Sequence, residues 1–396
     1  MDSINQPEGY FFRCIHAREC GACDLIHMSY ADQLAAKQAK VARLLKPYGR
    51  VEPILGMSNP SHYRNKVHAV VAQDRRGNAL AGVYRLGSHQ VVPVPQCMIE
   101  DVRAAEIIQS VWVLSKAFHL APYDEDRRTG FLRHIMVRVA QSEVMIVLVT
   151  AQLVFPGKNA FLKALLKAQP GITTVVQNLN DRKTTMVLGK RDIVLHGKGY
   201  IEDCLCGCTF RISPQSFYQV NHAQTEVLYR LAADMASLTG QETVLDAYCG
   251  VGTIGLSMAA KAKRLIGVEL NPEAVRDALG NARRNGIEHA HFVADDAGRY
   301  LQKVAQENAA VDVVLMDPPR SGSTPEFLHA LLMLAPKRIV YISCDPTTLA
   351  RDLQALHAGG YRMRRAVPVD MFPATGHVET VVLMSKNTNK IYLGQE

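Results

Sequence analysis

From about residue 220 onward, the sequence alternates between short apolar runs and longer segments of helical composition. This alternation constrains the fold more than any other feature, because strands that alternate with helices build a parallel sheet with helices on both faces. The runs that we predict as strands are residues 243–248, 264–270, 289–295, 311–317 and 338–344. With helical segments such as 272–286 between them, residues 216–396 are predicted to form an α/β, doubly wound domain.

The part of the chain before residue 216 has a different pattern. Helical composition is found at residues 30–49, where a proline and a glycine predict the stop, and again at 101–119 and 158–168. The apolar runs of β type are residues 65–73, 89–94, 133–141, 144–150 and 173–179. Residues 1–215 are therefore predicted to form an α+β domain, with the boundary near residues 210–222.

Length and composition agree with two domains of an ordinary globular protein. The chain has 396 residues, of which 48% are hydrophobic, so a core of normal size needs no metal or disulfide to support it. The N-terminus lacks the features of a secretory signal, and the longest apolar stretch, 144–155, is shorter than the roughly 18 residues of a membrane-spanning helix. We therefore expect a cytoplasmic protein without membrane association, whose nine cysteines are thiols or metal ligands before disulfides.

Positive charge is concentrated in the first half of the chain. The net charge is +8 in total, with +9 within residues 1–220 and −1 within residues 221–396. This distribution favours a polyanionic partner that is contacted mainly by the first half. Ordinary surface charge that keeps a protein soluble explains the same numbers, so charge alone leaves both interpretations open.

A glycine-rich turn follows the first predicted strand of the second domain. In VLDAYCGVGTIGLSMA, the residues Gly250, Gly252 and Gly255 would let a ligand approach the backbone where a helix begins. Glu269 ends the next predicted strand, where α/β folds hold ribose hydroxyls with a carboxylate. The turn suits S-adenosylmethionine, NAD or a purely structural role. We favour S-adenosylmethionine, because the Asp-Pro-Pro motif further along does not belong to a dehydrogenase.

That motif, DPPR at residues 317–320, ends the fourth predicted strand. It places Asp317, stiffened by two prolines, at the sheet edge where α/β folds bind ligands. Asp296 ends the third predicted strand and is a candidate for contact with an adenine. Amino-group methyltransferases carry an aromatic residue after the prolines, and Arg320 stands there instead, which argues against N-methylation of adenine.

Cys344 ends the next predicted strand, in RIVYISCDP, on the same ligand-binding edge. A free cysteine is commonly a core residue, so Cys344 alone is weak evidence for a catalytic role. The neighbouring strand that ends in DPPR strengthens that interpretation. Chemistry supplies a use for a thiol here. The C5 carbon of uracil is a poor nucleophile toward a sulfonium methyl group, and a thiolate that adds to C6 creates electron density at C5.

A base must then remove the C5 proton after methylation, so that the cysteine can leave. Glu379, in GHVETVVLM, lies 35 residues after Cys344 and is the candidate base. The alternative is an exposed glutamate that merely opens a final β-strand. A position at the start of that strand would place the carboxyl group near the ligand-binding edge.

The motifs YCGVGT, MDPPR, ISCDP and GHVETVVLM, in this order and spacing, resemble those of the RNA 5-methyluridine methyltransferase family, especially its 23S ribosomal RNA members. PQSFYQVN, HYRNK and FLRHIMVR are also similar to family segments, so the resemblance covers nearly the whole chain. It implies Cys344 as the nucleophile that adds to C6 and Glu379 as the proton acceptor. The residues that it implies for S-adenosylmethionine are Gln219, Tyr248, Glu269 and Asp317.

The resemblance also implies RNA as the partner, with the target uridine splayed out of its RNA context. We expect 23S rRNA as the substrate, with a tRNA uridine as the alternative. A redox-sensing RNA-binding protein without catalysis is a third hypothesis, and the complete glycine turn and the Cys344–Glu379 pair argue against it. We expect a monomer.

Four cysteines form a candidate metal site near the N-terminus. Cys14, Cys20 and Cys23 lie within ten residues of one another, and Cys97 is remote. Four thiolates suit an iron–sulfur cluster or a structural zinc, and the spacing does not choose between them. The resemblance does, because ribosomal members of the family carry a 4Fe–4S cluster on this pattern.

A second cysteine group consists of Cys204, Cys206 and Cys208. Their alternate spacing predicts that all three lie on one face of a strand. Packing in a patch of small residues is expected there rather than metal binding, so these cysteines are left out of the site.

Many ribosomal members of the family begin with a small β-barrel RNA-binding domain. Only 13 residues precede Cys14, so we expect that domain to be absent and RNA affinity to come from the basic half itself. The candidates for phosphate contact, each of which could be solvated surface, are Arg64, Lys66, Arg75, Arg76, Arg127, Arg128, Arg133 and Arg138.

Overall fold

The computed structural model describes residues 9–73, 79–184 and 186–386, and two seven-stranded sheets dominate this part of the chain. The first sheet has the order β3-β2-β1-β4-β5-β6-β7. Its strands are β1 (Lys66–Gln73), β2 (Ala79–Tyr84), β3 (Val91–Val92), β4 (Leu132–Val139), β5 (Val144–Thr150), β6 (Thr174–Leu179) and β7 (Arg191–His196).

Neighbouring strands of the first sheet are antiparallel, except for β5 and β6, which are parallel. Helix α4 (Lys158–Ala168) forms the crossover between these two strands, as a parallel pair requires. Helix α3 (Val102–Ala117) packs on β4 and β1. All five predicted β runs are observed, as are the predicted helices at 101–119 and 158–168, whereas β2 and β7 were not predicted.

A two-stranded hairpin follows the first sheet, and it corrects one expectation. Strands β8 (Ile201–Leu205) and β9 (Cys208–Ile212) are antiparallel, and Cys206 and Gly207 form the two-residue turn between them. Both turn residues have positive φ, 51° and 80°, as in the turns that match the twist of a hairpin. The prediction that Cys204, Cys206 and Cys208 share one strand face is wrong, because the chain reverses at Cys206.

The second sheet has the order β12-β11-β10-β13-β14-β16-β15, and its first five strands are parallel. Its strands are β10 (Thr243–Ala247), β11 (Arg264–Glu269), β12 (Ala290–Ala294), β13 (Val313–Met316), β14 (Arg338–Ser343), β15 (Tyr361–Val369) and β16 (Glu379–Lys386). The five predicted parallel strands are confirmed to within two residues at each end. The two antiparallel strands extend the sheet, and β16 lies between β14 and β15 although it follows both in sequence.

Helices cover both faces of this sheet, and a buried core lies beneath each cover. They are α5 (His222–Ala236), α6 (Thr253–Met258), α7 (Pro272–Arg284), α8 (Ala297–Gln306), α9 (Pro325–Leu334) and α10 (Pro346–Ala358), with a short 3-10 helix at Ala259–Lys261. This arrangement is the doubly wound α/β architecture that the alternation predicted.

The N-terminal segment does not stay with the first sheet. After the single turn of α1 (Ala17–Cys20), helix α2 (Tyr30–Leu45) packs on α10 and β15, and its Val41 and Leu45 are fully buried in the core of the second sheet. The domain boundary near residue 215 stays a prediction. Within the described residues, no helix combines the length and the apolar character that crossing a membrane would require.

Candidate active site

The glycine turn joins β10 to α6 at the carboxyl edge of the second sheet. Gly252 adopts φ 85° immediately before the helix begins, a conformation that favours glycine. A Cβ atom on Gly255 would lie 2.8 Å from Oδ2 of Asp246 and 2.9 Å from Leu265, so only glycine fits this close approach of helix and strand. The turn therefore brings backbone N–H groups to the edge where the other site residues lie.

Asp246 in β10 is a site residue that the sequence analysis missed. Its side chain is 1% exposed, and Oδ2 accepts a hydrogen bond from the Gly255 N–H at 2.9 Å. Burial raises the pKa of its carboxyl group to about 7, and the nearby Asp317 and Glu269 add to the rise. Oδ1 has no hydrogen-bond partner among the described residues. The signal in the sequence was a carboxylate inside an apolar strand. Burial of a carboxylate costs free energy, so such a residue usually has a binding or catalytic role.

Glu269 lies at the end of β11, where the sequence placed it. Its Oε2 accepts from the Gly250 N–H at 3.1 Å, and Oε1 accepts from the Asn271 N–H at 2.8 Å. A carboxylate has about four lone-pair positions, so both oxygens can accept further bonds. Glu269, Gly250 and Phe217 all line a cavity of about 430 Å³. The turn thus orients a carboxylate that lies beside this cavity.

The remaining strand-end residues lie beside this turn. Tyr248 follows β10 with φ 65°, and its ring packs against Phe327 at a centroid distance of 5.1 Å. Asp317 follows β13, and burial raises the pKa of its carboxyl group. Asp296 accepts a hydrogen bond from the Arg299 N–H at 3.0 Å, so it caps α8. Its contact with an adenine stays a prediction.

Cys344 and Glu379 are brought together by two antiparallel strands. Ser343 at the end of β14 is paired with Thr380 of β16. Because the strands are antiparallel, Cys344, which follows Ser343, lies beside Glu379, which precedes Thr380. Cys344 is half-buried, and Glu379 is 4% exposed. Oε2 of Glu379 has no hydrogen-bond partner among the described residues. The candidate nucleophile and base therefore meet at the sheet edge, with one carboxylate oxygen free.

The electrostatics of this pair are set by burial and by two charged neighbours. Burial raises the pKa of the Cys344 thiol to about 11, and the Glu379 and Asp317 carboxylates add to the rise. Burial and Asp317 also raise the pKa of Glu379. Arg320 acts in the opposite direction on both groups, because its cation favours their charged forms. The positive charge of Arg320 therefore acts on both the candidate nucleophile and the candidate base.

A second cavity, of about 490 Å³, extends from Arg320 to residues of the first sheet such as His68 and Val83. Arg320 and Gln219 line it, and the exposed Phe217 lines both this cavity and the one beside Glu269. Gln219 stands in the segment between β9 and α5, which Arg138 holds by donating to the carbonyl of Ser216 at 2.5 Å. Gln219 therefore lines the second cavity, and Phe217 is the residue of this segment that lines both.

All four predicted metal-binding cysteines, Cys14, Cys20, Cys23 and Cys97, line this second cavity. Burial raises the pKa of Cys23 to about 12 and that of Cys97 to about 11, and the charges of neighbouring cysteines add to both rises. The thiols are thus close to one another. Within the described ranges, however, no group of three or more Cys, His, Asp or Glu has the arrangement of metal ligands. The structure gathers the four cysteines without forming a coordination sphere.

The basic residues proposed for RNA contact divide into several groups. Arg133 and Arg138 are 2% and 4% exposed, and they donate to Glu125 and to backbone carbonyls, so they are structural and not available to phosphates. Arg127 and Arg128 are exposed, and Arg64 lines the second cavity. Lys66 is partly buried, which lowers its pKa to about 8. Arg75 and Arg76 lie outside the described residues.

Comparison with known proteins identifies the family. The model of the tRNA (uracil-5-)-methyltransferase family matches residues 29–387. An RNA methyltransferase of Oceanobacillus iheyensis with no more specific name is 44% identical over 91% of this chain and 80% of its own length. One from Clostridium acetobutylicum is 42% identical over 94% of this chain and 83% of its own length.

A solved structure of the same class is also similar. It is the Pyrococcus abyssi tRNA (uracil-54, C5)-methyltransferase in complex with S-adenosyl-L-homocysteine, with a TM-score of 0.78 and 27% identity over 92% of this chain and 86% of that one. A likeness of this extent supports the fold of the whole described chain. The family match and relatives above 40% identity argue for an enzyme rather than a non-catalytic binding protein. This chain therefore belongs to the tRNA (uracil-5-)-methyltransferase family, which confirms the RNA 5-methyluridine methyltransferase membership that its motifs predicted.

Proposed function

We propose that this protein methylates C5 of a specific uridine in 23S rRNA, with S-adenosylmethionine as the methyl donor and a covalent Cys344–C6 adduct. The observation that carries the proposal is the juxtaposition of Cys344 and Glu379, which the pairing of Ser343 with Thr380 produces. A thiol that adds to C6 and a carboxylate that removes the C5 proton are the two groups this reaction needs from the protein.

Cys344 takes part in the first and the last bond change of the reaction. Its thiolate forms a bond to C6, and the electrons of the C5–C6 double bond move toward the O4 carbonyl, which makes C5 nucleophilic. S-adenosylmethionine, when bound, supplies the electrophilic methyl group that C5 acquires. The carboxylate of Glu379 then takes the C5 proton, the C–H electron pair restores the C5–C6 double bond, and the S–C6 bond breaks to release the thiolate.

The raised pKa of Glu379 suits this role. A general base is most effective when its pKa lies near the working pH, and burial moves this carboxyl group in that direction. Arg320 has a complementary task, because its positive charge lowers the pKa of Cys344 and so favours the thiolate. With Arg320 exposed on the cavity wall, an incoming polyanion is attracted to the same place.

The cofactor residues that we propose are Gln219, Tyr248, Glu269 and Asp317. Two features of the structure fit S-adenosylmethionine at this edge. Glu269 retains acceptor capacity beside the cavity of about 430 Å³, which suits ribose hydroxyls. The unpartnered Oδ1 of the buried Asp246 and the raised pKa of Asp317 mark two carboxyl groups at this edge, which suits a ligand with a positive charge.

We propose in addition that Cys14, Cys20, Cys23 and Cys97 bind a 4Fe–4S cluster. Four thiols that line one cavity are the donor set that such a cluster requires, and burial disfavours the thiolate forms of Cys23 and Cys97 until a metal is bound. Structural zinc accepts the same donors. Anaerobic purification distinguishes the two, because an iron–sulfur protein is brown and a zinc protein is colourless.

A tRNA uridine is the second candidate substrate. The observation that favours it is the likeness to the Pyrococcus abyssi enzyme, whose name specifies tRNA. The four-cysteine cavity supports rRNA instead, through the resemblance to ribosomal members of the family. Mapping of 5-methyluridine in both RNAs, from cells with and without this protein, tests the proposal. Loss of a 23S rRNA site supports it, and loss of a tRNA site alone would replace it with the second candidate.

A further inference from the structure

The connection between β15 and β16, residues 370–378, ends directly at Glu379. It exchanges hydrogen bonds with residues that precede the first sheet, and Asn221 and Gln224 donate to its first two carbonyls. The residues of the N-terminal segment that make these bonds are Asp24, Leu25, Gln33, Lys37 and Tyr63. The position of the candidate base therefore depends on a part of the chain that is more than 300 residues away in sequence.

A buried ion pair fixes the first residue of this connection. Lys37 of α2 and Asp370 are 1% and 0% exposed, and Nζ of Lys37 lies 2.5 Å from Oδ1 of Asp370 and donates to the carbonyl of Phe372 at 3.0 Å. Two charges out of water cost free energy that their attraction offsets only in a well-defined geometry. The pair therefore sets where the connection leaves β15.

Gln33, one turn earlier on α2, fixes the middle of the connection. Its Nε2 donates to the carbonyls of Leu25 and Met28 at 3.1 and 3.2 Å, and its Oε1 accepts from the Ala374 N–H at 2.8 Å. The carbonyl of Ala374 in turn accepts from the Leu25 N–H at 3.0 Å. Both polar groups of the Ala374 backbone are thus paired with the N-terminal segment.

Ala374 is in a strained conformation at this point. Its φ is 70°, a region that alanine rarely adopts, and its side chain is fully buried. Such a conformation persists only where surrounding contacts determine it. The hydrogen bonds to its backbone come from Gln33 and Leu25, its side chain packs in a cluster that includes Tyr30 and Tyr63, and these contacts act five residues before Glu379.

We propose that Gln33 is a positioning residue for Glu379, and that it acts through the strained backbone of Ala374. The inference rests on the proposed function, in which Glu379 takes the C5 proton and allows the S–C6 bond to break. When Gln33 is lost, Ala374 relaxes and the Glu379 carboxylate shifts relative to C5. Adduct formation by Cys344 is retained, and the elimination that follows becomes slow.

The test is the variant Gln33→Leu, with Gln38→Leu as its matched control. Gln38 lies on the same helix and also donates to a backbone carbonyl, that of Glu52 at 3.2 Å, but it does not contact the connection. The readouts are tritium release from RNA labelled at uridine C5, the fraction of RNA trapped as covalent adduct, and KM for RNA. We expect kcat to fall about tenfold to a hundredfold in Gln33→Leu, with an increased adduct fraction and an unchanged KM.

Rescue is a second measurement. Ala374→Gly removes the conformational strain, so the double variant Gln33→Leu/Ala374→Gly should recover tritium release toward that of wild type. If Gln33→Leu does not fold, Gln33→Asn, which shortens the side chain by one methylene group, gives the same comparison. A Gln33 variant that matches the control, one that changes only KM, or a double variant as slow as the single one would overturn the inference. Wild-type protein that releases no tritium and traps no RNA would instead overturn the proposed function.

Discussion

Ser343 and Thr380 are paired across β14 and β16, and the residues that adjoin this pair at the sheet edge are Cys344 and Glu379. The strands come from chain segments separated by α10 and β15, yet they bring a thiol and an unpartnered carboxylate oxygen to one place. This arrangement and the charges around it determine how substitutions at Cys344, Glu379 and Arg320 should change activity.

Replacement of Cys344 by alanine should abolish both turnover and the covalent adduct with RNA that contains 5-fluorouridine. The thiolate is the group that activates C5, and no neighbouring side chain substitutes for it. The adduct is measured as a slowly migrating band on a denaturing gel. Cys204→Ala is the control, because Cys204 is exposed on the hairpin and should leave activity unchanged. Adduct formation by Cys344→Ala would exclude this cysteine as the nucleophile.

Glu379→Gln should slow turnover by about a hundredfold or more, which is the usual contribution of a general base. Glutamine has the same shape and cannot accept the C5 proton, so methylated RNA should remain attached to Cys344. Mass spectrometry of the protein–RNA species measures this, since the trapped adduct carries the methyl group. A variant that turns over slowly with no accumulated adduct would assign the base to another residue.

Alkylation of Cys344 by iodoacetamide should depend on pH in a way that the neighbouring charges predict. The thiol has a pKa of about 11, so its alkylation rate should rise through the alkaline range toward that value. Glu379→Gln removes a negative neighbour and should move the midpoint to lower pH. Arg320→Gln removes a positive neighbour and should move it to higher pH. Peptide-resolved mass spectrometry separates Cys344 from the other thiols, and shifts of the same sign in both variants would contradict this account.

Glu269→Gln should weaken the binding of S-adenosylmethionine by at least about tenfold. A hydrogen bond to a charged group contributes about 1.5–3 kcal/mol, and 1.4 kcal/mol corresponds to a factor of ten. The amide would also direct N–H donors toward the N–H group of Gly250 or Asn271. Calorimetry measures the affinity, with the exposed Glu288→Gln as a control for the loss of one negative charge. Equal affinities in the two variants would remove Glu269 from the cofactor site.

Cys23→Ser should lose the iron and the visible absorption of anaerobically purified protein, because Cys23 lines the cavity together with the other three predicted ligands. The triple variant Cys204→Ser/Cys206→Ser/Cys208→Ser should retain both, since those cysteines lie on the hairpin and do not line the cavity. Iron and sulfide analysis of the two proteins makes the comparison. Loss of iron from the triple variant alone would place the cluster at the hairpin.

Several parts of this site could be read directly from the sequence. Glu269, Asp317 and Cys344 lie at the ends of predicted strands and Gly250 follows one, and the carboxyl ends of parallel strands meet at one edge of a sheet. Periodicity and turn chemistry depend on residues that are neighbours in the chain, so they are visible without a structure. Asp246 escaped notice although its position in an apolar strand was available, because a single carboxylate gives no spacing to recognise.

Other parts depend on contacts between distant segments, and only the tertiary structure decided them. The insertion of β16 between β14 and β15 places Glu379 beside Cys344, and no local pattern specifies that order. The burial of Arg138 against the segment before α5 is of the same kind, since a basic residue in a strand gives no sign of whether it faces phosphates or carbonyls.

The sequence by itself thus determined the doubly wound sheet, the glycine turn, the strand-end residues and the family, because each is encoded by neighbouring residues or by motifs in order. The tertiary structure decided which strand ends meet, and it showed that Gln33 and Lys37 hold the connection that leads to Glu379. Pairing across 333 residues, as between Lys37 and Asp370, depends on how the whole chain packs, and the cost of burying two charges then disfavours every geometry in which they are not paired.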